Sequence, residues 1–325
     1  MTPLPRPLLR VSDLVKHYEA GSTFMRKPDS VKAVDGISFE MYRGETLAVI
    51  GESGCGKSTV GRLILKLLDP TEGEIWFDGN RIDHLSTGAF RPLRRRLQIV
   101  FQDPYSSLNP RMRIRQILSE PLLSLGASDR GAALEKRLNE LLDIVRVPRH
   151  ALDRYPHEFS GGQRQRICIA RALATEPDLI VCDEAVSALD VSVKAQIVNL
   201  LRELQQSMGL ALLFISHDLA VVSHMTHRVA VMYLGKIVEL ATRDEIFGSP
   251  RHPYTQALLS AIPSPDPTAT QDAIVLRGDI PSAVNPPRGC RFNTRCIHAF
   301  DRCRSEEPRL TGAAQGRQVA CHLAE

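Results

Sequence analysis

The feature that most constrains the fold of this chain is a short strand that runs into a glycine-rich turn and then into a helix. The predicted strand Thr46–Ile50 is followed by Gly51-Glu-Ser-Gly-Cys-Gly-Lys57-Ser58, which fits the pattern G-x-x-x-x-G-K-[ST]. The apolar period of the next segment predicts a helix over Ser58–Leu68. In such a turn the backbone N–H groups surround a phosphate, the lysine reaches the β and γ phosphates and the serine hydroxyl holds Mg²⁺. The sequence therefore predicts an α/β core that binds a nucleotide.

Composition narrows the class of protein. The chain has 325 residues, of which 43% are hydrophobic and 24% charged, a balance typical of a globular protein of about two domains. Its net charge of +4 is too small to demand a nucleic-acid partner. The most apolar run, Leu210–Ile215, has the length of a strand and not of a membrane span, and three prolines near the N-terminus are unlike a signal peptide. We therefore expect a chain that neither crosses a membrane nor is exported.

Proline placement divides the chain into a large N-terminal domain, 1–245, and a C-terminal extension, 246–325, because nine of the 21 prolines lie from Pro250 onward. In the large domain, three β-rich segments predict a β-rich edge and three continuous apolar segments predict buried parallel strands. These segments are Leu8–Tyr18, Lys32–Tyr42 and Glu74–Phe77, and Leu97–Phe101, Leu179–Cys182 and Leu210–Ile215. Residues 103–177 carry a helical period and predict an inserted helical subdomain, whereas 21–30 predicts a loop.

One of the apolar strands ends in two adjacent carboxylates, Asp183 and Glu184. Because side chains alternate along a strand, the two can have different roles. Asp183 suits Mg²⁺, directly or through water, and Glu184 can orient and deprotonate an attacking water. Alone, this pattern is more typical of a solvated strand end. Together with the phosphate loop it predicts nucleotide hydrolysis.

A second glycine-containing motif, Phe159-Ser160-Gly161-Gly162-Gln163, precedes a predicted helix over Gln163–Ala174. Ser160 is the expected N-cap, and the two glycines leave the N-terminal amides unobstructed, so that this helix end can receive an anion. By itself the motif is more typical of a plain capped helix. The other motifs of the chain favour the anion site.

These motifs occur in the order found in one family. The phosphate loop, Gln102 after an apolar strand, Phe159–Gln163, the Asp-Glu strand end, Ser187–Asp190 and His217 together resemble an ABC-transporter ATPase subunit over residues 8 to about 245. The resemblance implies a P-loop NTPase core with an antiparallel β edge and an inserted helical subdomain, followed here by a small cysteine-containing extension. It also implies ATP and Mg²⁺ as ligands, and a head-to-tail dimer in which neither subunit alone has a complete site.

The resemblance also implies roles for individual residues. Glu184 is the implied catalytic base, Gln102 links Mg²⁺ and the attacking water to the helical subdomain, and His217 contacts the γ-phosphate. Tyr18 resembles the adenine-stacking aromatic, with a place in the core of the β edge as the alternative. The implied nucleotide-binding residues are Tyr18, Gly51, Ser53, Gly54, Cys55, Gly56, Lys57, Ser58, Thr59, Asp183, Ser160, Gly161, Gly162, Gln163 and Asp190. Of these, Ser160 and Gly162 are implied to act across the dimer, and Asp190 to shape the dimer interface near both sites. The implied Mg²⁺ ligands are Ser58, Gln102 and Asp183.

Two positions depart from the family pattern. Phe159 stands where leucine is common, and Ala185 stands where proline is common. Neither departure removes a catalytic group, and with Glu184 and His217 both present we expect a hydrolysing subunit.

Longer stretches resemble the ATPase subunits of oligopeptide and dipeptide importers. These stretches are Gln102–Pro110, Tyr155–Ser160, Ser187–Ser192 and, in the extension, Arg251–Leu259. The resemblance implies a peripheral protein on the cytoplasmic face of the cell membrane. Its implied partners are a second ATPase subunit, expected to be a paralogue, two transmembrane permease subunits and a solute-binding protein, with no nucleic acid. Nickel and glutathione are alternative cargoes, and a soluble ABC ATPase of translation or DNA repair is the alternative function.

Four of the seven cysteines lie in the extension, at Cys290, Cys296, Cys303 and Cys321. Four thiolates can hold a [4Fe–4S] cluster or one Zn²⁺, but these spacings fit neither a zinc ribbon nor a ferredoxin. The family resemblance favours the iron–sulfur cluster, since peptide-importer ATPases carry one in this region; zinc and unmetallated thiols are the alternatives. The remaining three, Cys55, Cys168 and Cys182, are predicted to be packing residues, with Cys55 a candidate for alkylation.

Overall fold

The computed structural model describes residues 6–20, 29–127, 131–262, 274–276, 278–312 and 316–324. The chain forms two compact units, each built from separate stretches of sequence. The phosphate-loop unit contains Arg6–Met41, Leu47–Asp83 and the described residues from Ser216 onward. The helical unit contains Tyr42–Thr46 and His84–Ile215. Within the described ranges, no helix combines the length and the apolar character that a membrane crossing requires.

The described residues form twelve strands and eleven α-helices. The strands are β1 Leu9–Ala20, β2 Asp29–Met41, β3 Thr46–Ile50, β4 Glu72–Phe77, β5 Asn80–Arg81, β6 Leu97–Val100, β7 Leu179–Asp183, β8 Ala211–Ile215, β9 Arg228–Tyr233, β10 Lys236–Thr242, β11 Thr311–Gly312 and β12 Gln318–Val319. The helices are α1 Lys57–Ile64, α2 Thr87–Phe90, α3 Pro104–Ser107, α4 Ile114–Ser124, α5 Ala132–Ile144, α6 Gly161–Leu173, α7 Val191–Met208, α8 Leu219–Met225, α9 Arg243–Gly248, α10 Pro253–Ser260 and α11 Asp301–Ser305.

Two groups of strands build the phosphate-loop unit. The first is an antiparallel sheet with the order β2-β1-β4-β5, in which Leu9 of β1 lies opposite both Met41 and Phe77. In the second, β11, β12, β10, β9 and β3 are neighbours in this order. Strand β3 pairs with β9 in parallel, with Val49 opposite Ala230. Every residue of β3 and β9 is buried, as expected for parallel strands that are covered on both faces.

The helical unit combines a parallel sheet with the inserted helices. Strands β8, β7 and β6 are neighbours in this order, with Val181 of β7 opposite Leu213 and Ile99. Helices α3 to α6 lie between β6 and β7 in the chain, and α6 contacts α3, α4 and α5. The apolar period of α5 buries Leu138 and Leu142 completely. Helix α7 ends at Met208 and is capped by Gly209, which takes the left-handed conformation (φ 64°) that glycine adopts without strain.

The predicted α/β fold with an antiparallel edge and an inserted helical subdomain is confirmed. One predicted helix is shorter than expected, because α1 ends at Ile64 and not at Leu68. Just beyond that end, Lys66 takes a left-handed backbone (φ 50°), and its ammonium donates to Asp69 and to the carbonyl oxygen of Asp83, each at 2.7 Å. Of the predicted loop at 21–30, residues 21–28 lie outside the described residues; residues 29 and 30 belong to β2, so the prediction is wrong for them. The boundary at residue 245 stays a prediction.

Candidate nucleotide-binding site

The phosphate loop, residues 51–58, joins β3 to α1, and packing fixes two of its glycines. A Cβ atom at Gly51 would lie 2.2 Å from the carbonyl oxygen of Met232, and one at Gly56 would lie 2.0 Å from that of Ala33. Both glycines also have positive φ, 150° and 106°. By contrast, Gly54 and Ser53 are exposed. The loop is therefore held closely at both ends and open to solvent at its tip.

Lys57, at the start of α1, lies inside the loop with only 5% of its surface exposed. Its ammonium donates to the carbonyl oxygens of Gly51 at 2.8 Å and Glu52 at 2.9 Å. Ser58 and Thr59 follow on the first helical turn and are half-buried. A cation and two hydroxyls thus stand at the base of the loop, as the motif predicts.

Cys55 is buried within the phosphate loop, and this corrects the expectation of an alkylation site. The residue is 4% exposed, and burial is the largest influence that raises the pKa of its thiol. A buried protonated thiol is a poor nucleophile. Burial also raises the pKa of the Cys168 thiol, and raises that of Cys182 to about 12, so the prediction that these three cysteines are packing residues is confirmed.

Glu52, the second residue of the phosphate loop, has two partners that the sequence analysis did not identify. The hydroxyl of Tyr254 accepts a hydrogen bond from the backbone N–H of Glu52 at 2.9 Å. The guanidinium of Arg295 donates to both carboxylate oxygens of Glu52, at 2.7 and 3.1 Å. Tyr254 lies in the stretch that resembles peptide-importer ATPases, but no pattern in that stretch indicates a contact with the phosphate loop.

Two further predicted site residues belong to the phosphate-loop unit. Tyr18, on β1, is 37% exposed, so the alternative that it is a core residue is wrong. The ammonium of Lys16 lies 5.3 Å from the centre of its ring. His217 is exposed and follows Ser216, whose N–H donates to the carbonyl oxygen of Val49 in β3 at 3.2 Å. The backbone that carries His217 is therefore held next to the strand that leads into the phosphate loop.

The helical unit brings together three other predicted residues. Asp183, the last residue of β7, is 6% exposed. Glu184 leaves the strand in a left-handed conformation (φ 50°), and its N–H donates to the carbonyl oxygen of Ile215 at 2.9 Å. The side-chain amide of Gln102 donates to the Glu184 carboxylate at 2.8 Å. A positive φ at a residue other than glycine stores strain, which is common at functional sites.

The predicted N-cap of α6 is confirmed. The Ser160 hydroxyl accepts from the N–H of Gln163 at 3.4 Å, and the Gln163 side chain accepts from the N–H of Ser160 at 3.1 Å. A Cβ atom at Gly162 would lie 2.4 Å from Cγ1 of Val193, whereas one at Gly161 would meet nothing nearer than 3.8 Å. Ser160 and Gln163 are exposed, so the end of the helix is open to a partner. Asp190, at the start of α7, is exposed as well.

The four cysteines of the extension lie near one another. Burial is the largest influence that raises the pKa of Cys290, to about 11, and the nearby thiols of Cys303, Cys321 and Cys296 add to it. All four thiols are free. Sulfur donors are therefore gathered here, but among the described residues no three His, Cys, Asp or Glu side chains form an arrangement that could hold a metal ion.

Two family models match the chain. The model described as ABC transporter matches residues 34–187, and the model described as oligopeptide/dipeptide transporter, C-terminal region, matches residues 238–303. A probable peptide ABC transporter ATP-binding protein of Sinorhizobium fredii is 55% identical, over 97% of this chain and 90% of its own length. A dipeptide transport ATP-binding protein of Haemophilus influenzae is 49% identical, over 97% of this chain and 96% of its own length.

Solved structures agree with these matches. A dimeric ATP-binding cassette in a post-hydrolysis state, bound to ADP and Pi, is 28% identical with a TM-score of 0.64, over 72% of this chain and 98% of that chain. A subunit of an ABC transporter complex of Clostridium perfringens is 29% identical with a TM-score of 0.63, over 75% of this chain and 91% of its own. The two family models, the near full-length relatives and the shared cassette fold lead to one conclusion: this chain belongs to the family of ATP-binding subunits of oligopeptide/dipeptide ABC transporters.

Proposed function

We propose that this subunit binds and hydrolyses ATP and thereby powers the import of di- or oligopeptides through a membrane ABC transporter. The observation that carries the proposal is the near full-length similarity, 55% identity over 97% of the chain, to a protein named for peptide transport. The match of residues 238–303 to the C-terminal region of oligopeptide/dipeptide transporters supports it independently of the ATPase motifs. No observation favours a soluble ATPase of translation or DNA repair.

The phosphate loop is the proposed site for the phosphates of ATP. Lys57 and the loop N–H groups bind the β and γ phosphates, and Tyr18 stacks on the adenine. Ser58, Asp183 and Gln102 fit Mg²⁺ by their chemistry, since a hydroxyl, a carboxylate and an amide carbonyl are all oxygen donors. When bound, the ion neutralises negative charge on the phosphates. The Gln102 amide nitrogen is engaged by Glu184, which leaves the amide oxygen as its available ligand atom.

Glu184 is the proposed general base for hydrolysis. It accepts a proton from the attacking water while the water oxygen bonds to the γ-phosphorus and the bond to the β–γ bridging oxygen breaks. The hydrogen bond from Gln102 orients the carboxylate, and the strained backbone at Glu184 fixes the direction in which it leaves β7. His217 is proposed to donate a hydrogen bond to the γ-phosphate.

We propose that the complete site requires a second ATPase subunit, a copy or a paralogue. Ser160, Gly161, Gly162 and Gln163 would then receive the γ-phosphate bound by the other subunit, and Asp190 would shape the interface. The exposure of Ser160 and Gln163 at the start of α6 supports this arrangement, as does the 84% exposure of Val191 beside Asp190. A helix N-terminus that carries free N–H groups and a positive dipole is suited to an anion.

The proposed assembly contains an ATPase domain at 1–245 and the extension at 246–325. Two transmembrane permease subunits and a solute-binding protein complete it, and this chain lies on the cytoplasmic face of the membrane. The near full-length relatives named as transport proteins support these partners.

We further propose that Cys290, Cys296, Cys303 and Cys321 are ligands of a [4Fe–4S] cluster. Their sulfur chemistry and the proximity of the four thiols support the proposal. Anaerobically purified protein should contain iron and sulfide and show visible absorbance that dithionite bleaches. Zinc at one equivalent, or no metal in the full-length protein, would contradict the proposal.

The transport proposal is tested by complementation. In cells that lack this subunit, the wild-type chain should restore uptake of labelled di- or oligopeptides, and the Lys57→Ala variant should not. Restored uptake of nickel or glutathione without uptake of peptides would contradict the proposed cargo. Affinity purification should recover two polytopic membrane proteins; recovery of ribosomes or DNA in their place would contradict the transporter itself.

A further inference from the structure

Glu52 places a negative charge inside a loop that the family uses to bind an anion. The residue belongs to the phosphate loop, and its side chain is 22% exposed. This charge affects neighbouring groups, because the Glu52 carboxylate is among the influences that raise the pKa of the Tyr254 hydroxyl, after burial, and the pKa of the Cys55 thiol, again after burial. A carboxylate so close to the proposed phosphate position opposes the binding of ATP unless a cation neutralises it.

Arg295 is the cation that neutralises this carboxylate. Both of its terminal nitrogens donate to Glu52, in the paired geometry that makes an arginine–carboxylate contact strong and directional. The Arg295 side chain is 7% exposed, so solvent weakens the contact little. Arg295 also lies over the ring of Tyr233, 6.0 Å from its centre.

The segment that carries Arg295 is itself fixed to the core of the phosphate-loop unit. This Cys-rich segment, residues 290–303, contains Arg291, which donates to Asp35 and to the carbonyl oxygen of Leu234. It also contains Phe292, which is 2% exposed and packs against Tyr233 and Tyr254 at ring-centre distances of 5.3 and 5.4 Å. Arg291, Phe292 and Arg295 thus bring the guanidinium to Glu52 from a part of the chain 243 residues away.

Lys57 shows why the neutralisation matters. Its ammonium already donates to the carbonyl oxygen of Glu52 at 2.9 Å. Without Arg295, the Glu52 carboxylate would attract the Lys57 ammonium, which is already hydrogen-bonded to the backbone of Glu52. Lys57 would then be drawn away from the phosphates, and the remaining negative charge would repel them.

We propose that Arg295 of the Cys-rich segment is a positioning residue of the nucleotide site: it neutralises Glu52 so that the phosphate loop can accept ATP and Lys57 stays available to the phosphates. The C-terminal extension thereby sets the nucleotide affinity of the ATPase domain. This inference rests on the proposed role of the phosphate loop in ATP binding and is independent of the transported cargo.

The test is the affinity of the full-length chain for MgATP, measured by calorimetry. Arg295→Gln should weaken binding about tenfold or more, as expected when one partner of a largely buried charge pair is removed. Glu52→Gln should bind as tightly as the wild type or more tightly. The double variant, with Glu52→Gln and Arg295→Gln, should regain wild-type affinity to within about threefold, because it contains no carboxylate that needs neutralising. The matched control is Arg302→Gln in the same segment, which breaks an exposed pair with Glu306 and should leave the affinity unchanged.

Three results would overturn the inference. They are wild-type affinity in Arg295→Gln, a double variant as weak as Arg295→Gln alone, and a tenfold loss in Glu52→Gln alone. The second would assign the loss to a disturbed Cys-rich segment and not to charge. Should Arg295→Gln not fold, the result for Glu52→Gln still decides, since it removes the carboxylate and keeps Arg295. If the wild-type chain and Lys57→Ala bound ATP equally, the proposed role of the phosphate loop would fail instead.

Discussion

The side-chain amide of Gln102 donates a hydrogen bond of 2.8 Å to the carboxylate of Glu184, across 82 residues of sequence. Gln102 follows β6 and Glu184 follows β7, and these strands are parallel neighbours, with Val100 opposite Cys182. The carboxyl ends of both strands therefore meet at one edge of the sheet, where open α/β sheets bind their ligands. The proposed base and the residue expected to link Mg²⁺ and the attacking water to the helical subdomain are thus in contact within one unit.

Substitution of the proposed base should separate binding from hydrolysis. Glu184→Gln keeps the size and the hydrogen-bonding capacity of the side chain but cannot accept a proton from water. We expect ATP hydrolysis to fall by about 100-fold or more, while ATP binding persists and the closed dimer accumulates. Steady-state ATPase assays and size-exclusion chromatography with MgATP measure the two effects. The control is Glu203→Gln, which changes an exposed carboxylate on α7 of the same unit. Rapid hydrolysis by Glu184→Gln would refute the assignment of the base.

Converting Gln102 to a second carboxylate should move the pH dependence of hydrolysis upward. In Gln102→Glu, a second carboxyl group would face Glu184 where the wild type has a hydrogen bond of 2.8 Å. Two carboxyl groups at such a distance cannot both be ionised at neutral pH. The pair would share a proton, which disables the base until the pH rises. We therefore expect low activity at neutral pH that increases toward alkaline pH, whereas Gln102→Ala should lose activity without a shift. A pH–rate profile unchanged by Gln102→Glu would show that the two side chains do not interact during hydrolysis.

The two glycines at the start of α6 should respond differently to alanine. At Gly162 a methyl group would lie 2.4 Å from Val193 of α7, so one of the two helices must shift, whereas at Gly161 the nearest atoms lie at an ordinary 3.8 Å. We expect Gly162→Ala to lower the free energy of unfolding by about 1–3 kcal/mol, and Gly161→Ala to change it little. Adding Val193→Ala to Gly162→Ala should restore most of the loss. Urea denaturation of the wild type, the two glycine variants and the double variant checks this, and equal stability of the two glycine variants would contradict it.

The sequence predicts some of these features far better than others, for physical reasons. The phosphate loop and the cap of α6 were predictable because each depends on a few consecutive residues: glycines that take positive φ, or a serine and a glutamine three residues apart. The family resemblance implied a separate role for Gln102 and for Glu184, but their contact was not predicted, since no local pattern pairs them. The contact between Arg295 and Glu52 was missed, because an arginine in an irregular segment and a residue that the loop motif leaves unspecified carry no signal of their pairing across the chain.

Buried His252 should make the phosphate-loop unit sensitive to mild acid. It is 1% exposed, and burial lowers its pKa from an ordinary 6.5 to about 3. Its ring nitrogen Nδ1 accepts a hydrogen bond from the backbone N–H of Tyr254, and the backbone N–H of His252 donates to the Glu239 carboxylate. In the unfolded chain the imidazole takes up a proton below pH 6.5, whereas in the folded chain it stays neutral down to about pH 3. Between pH 6.5 and about pH 3 the unfolded state therefore binds more protons than the folded state. As the pH falls through this range, His252 lowers the free energy of unfolding by about 1.4 kcal/mol per pH unit.

The matched variant for this effect is His252→Gln, whose side chain can still accept a hydrogen bond but does not titrate. Between pH 7 and pH 5 the free energy of unfolding of the wild type should fall by about 2 kcal/mol more than that of His252→Gln, as measured by urea denaturation. His224→Gln, which changes an exposed histidine of the same unit, should follow the wild type. If His252→Gln and the wild type lost stability in parallel, the histidine would have to be protonated in the folded protein. Since Tyr254 holds Glu52, weaker nucleotide binding in acid should then accompany that protonation.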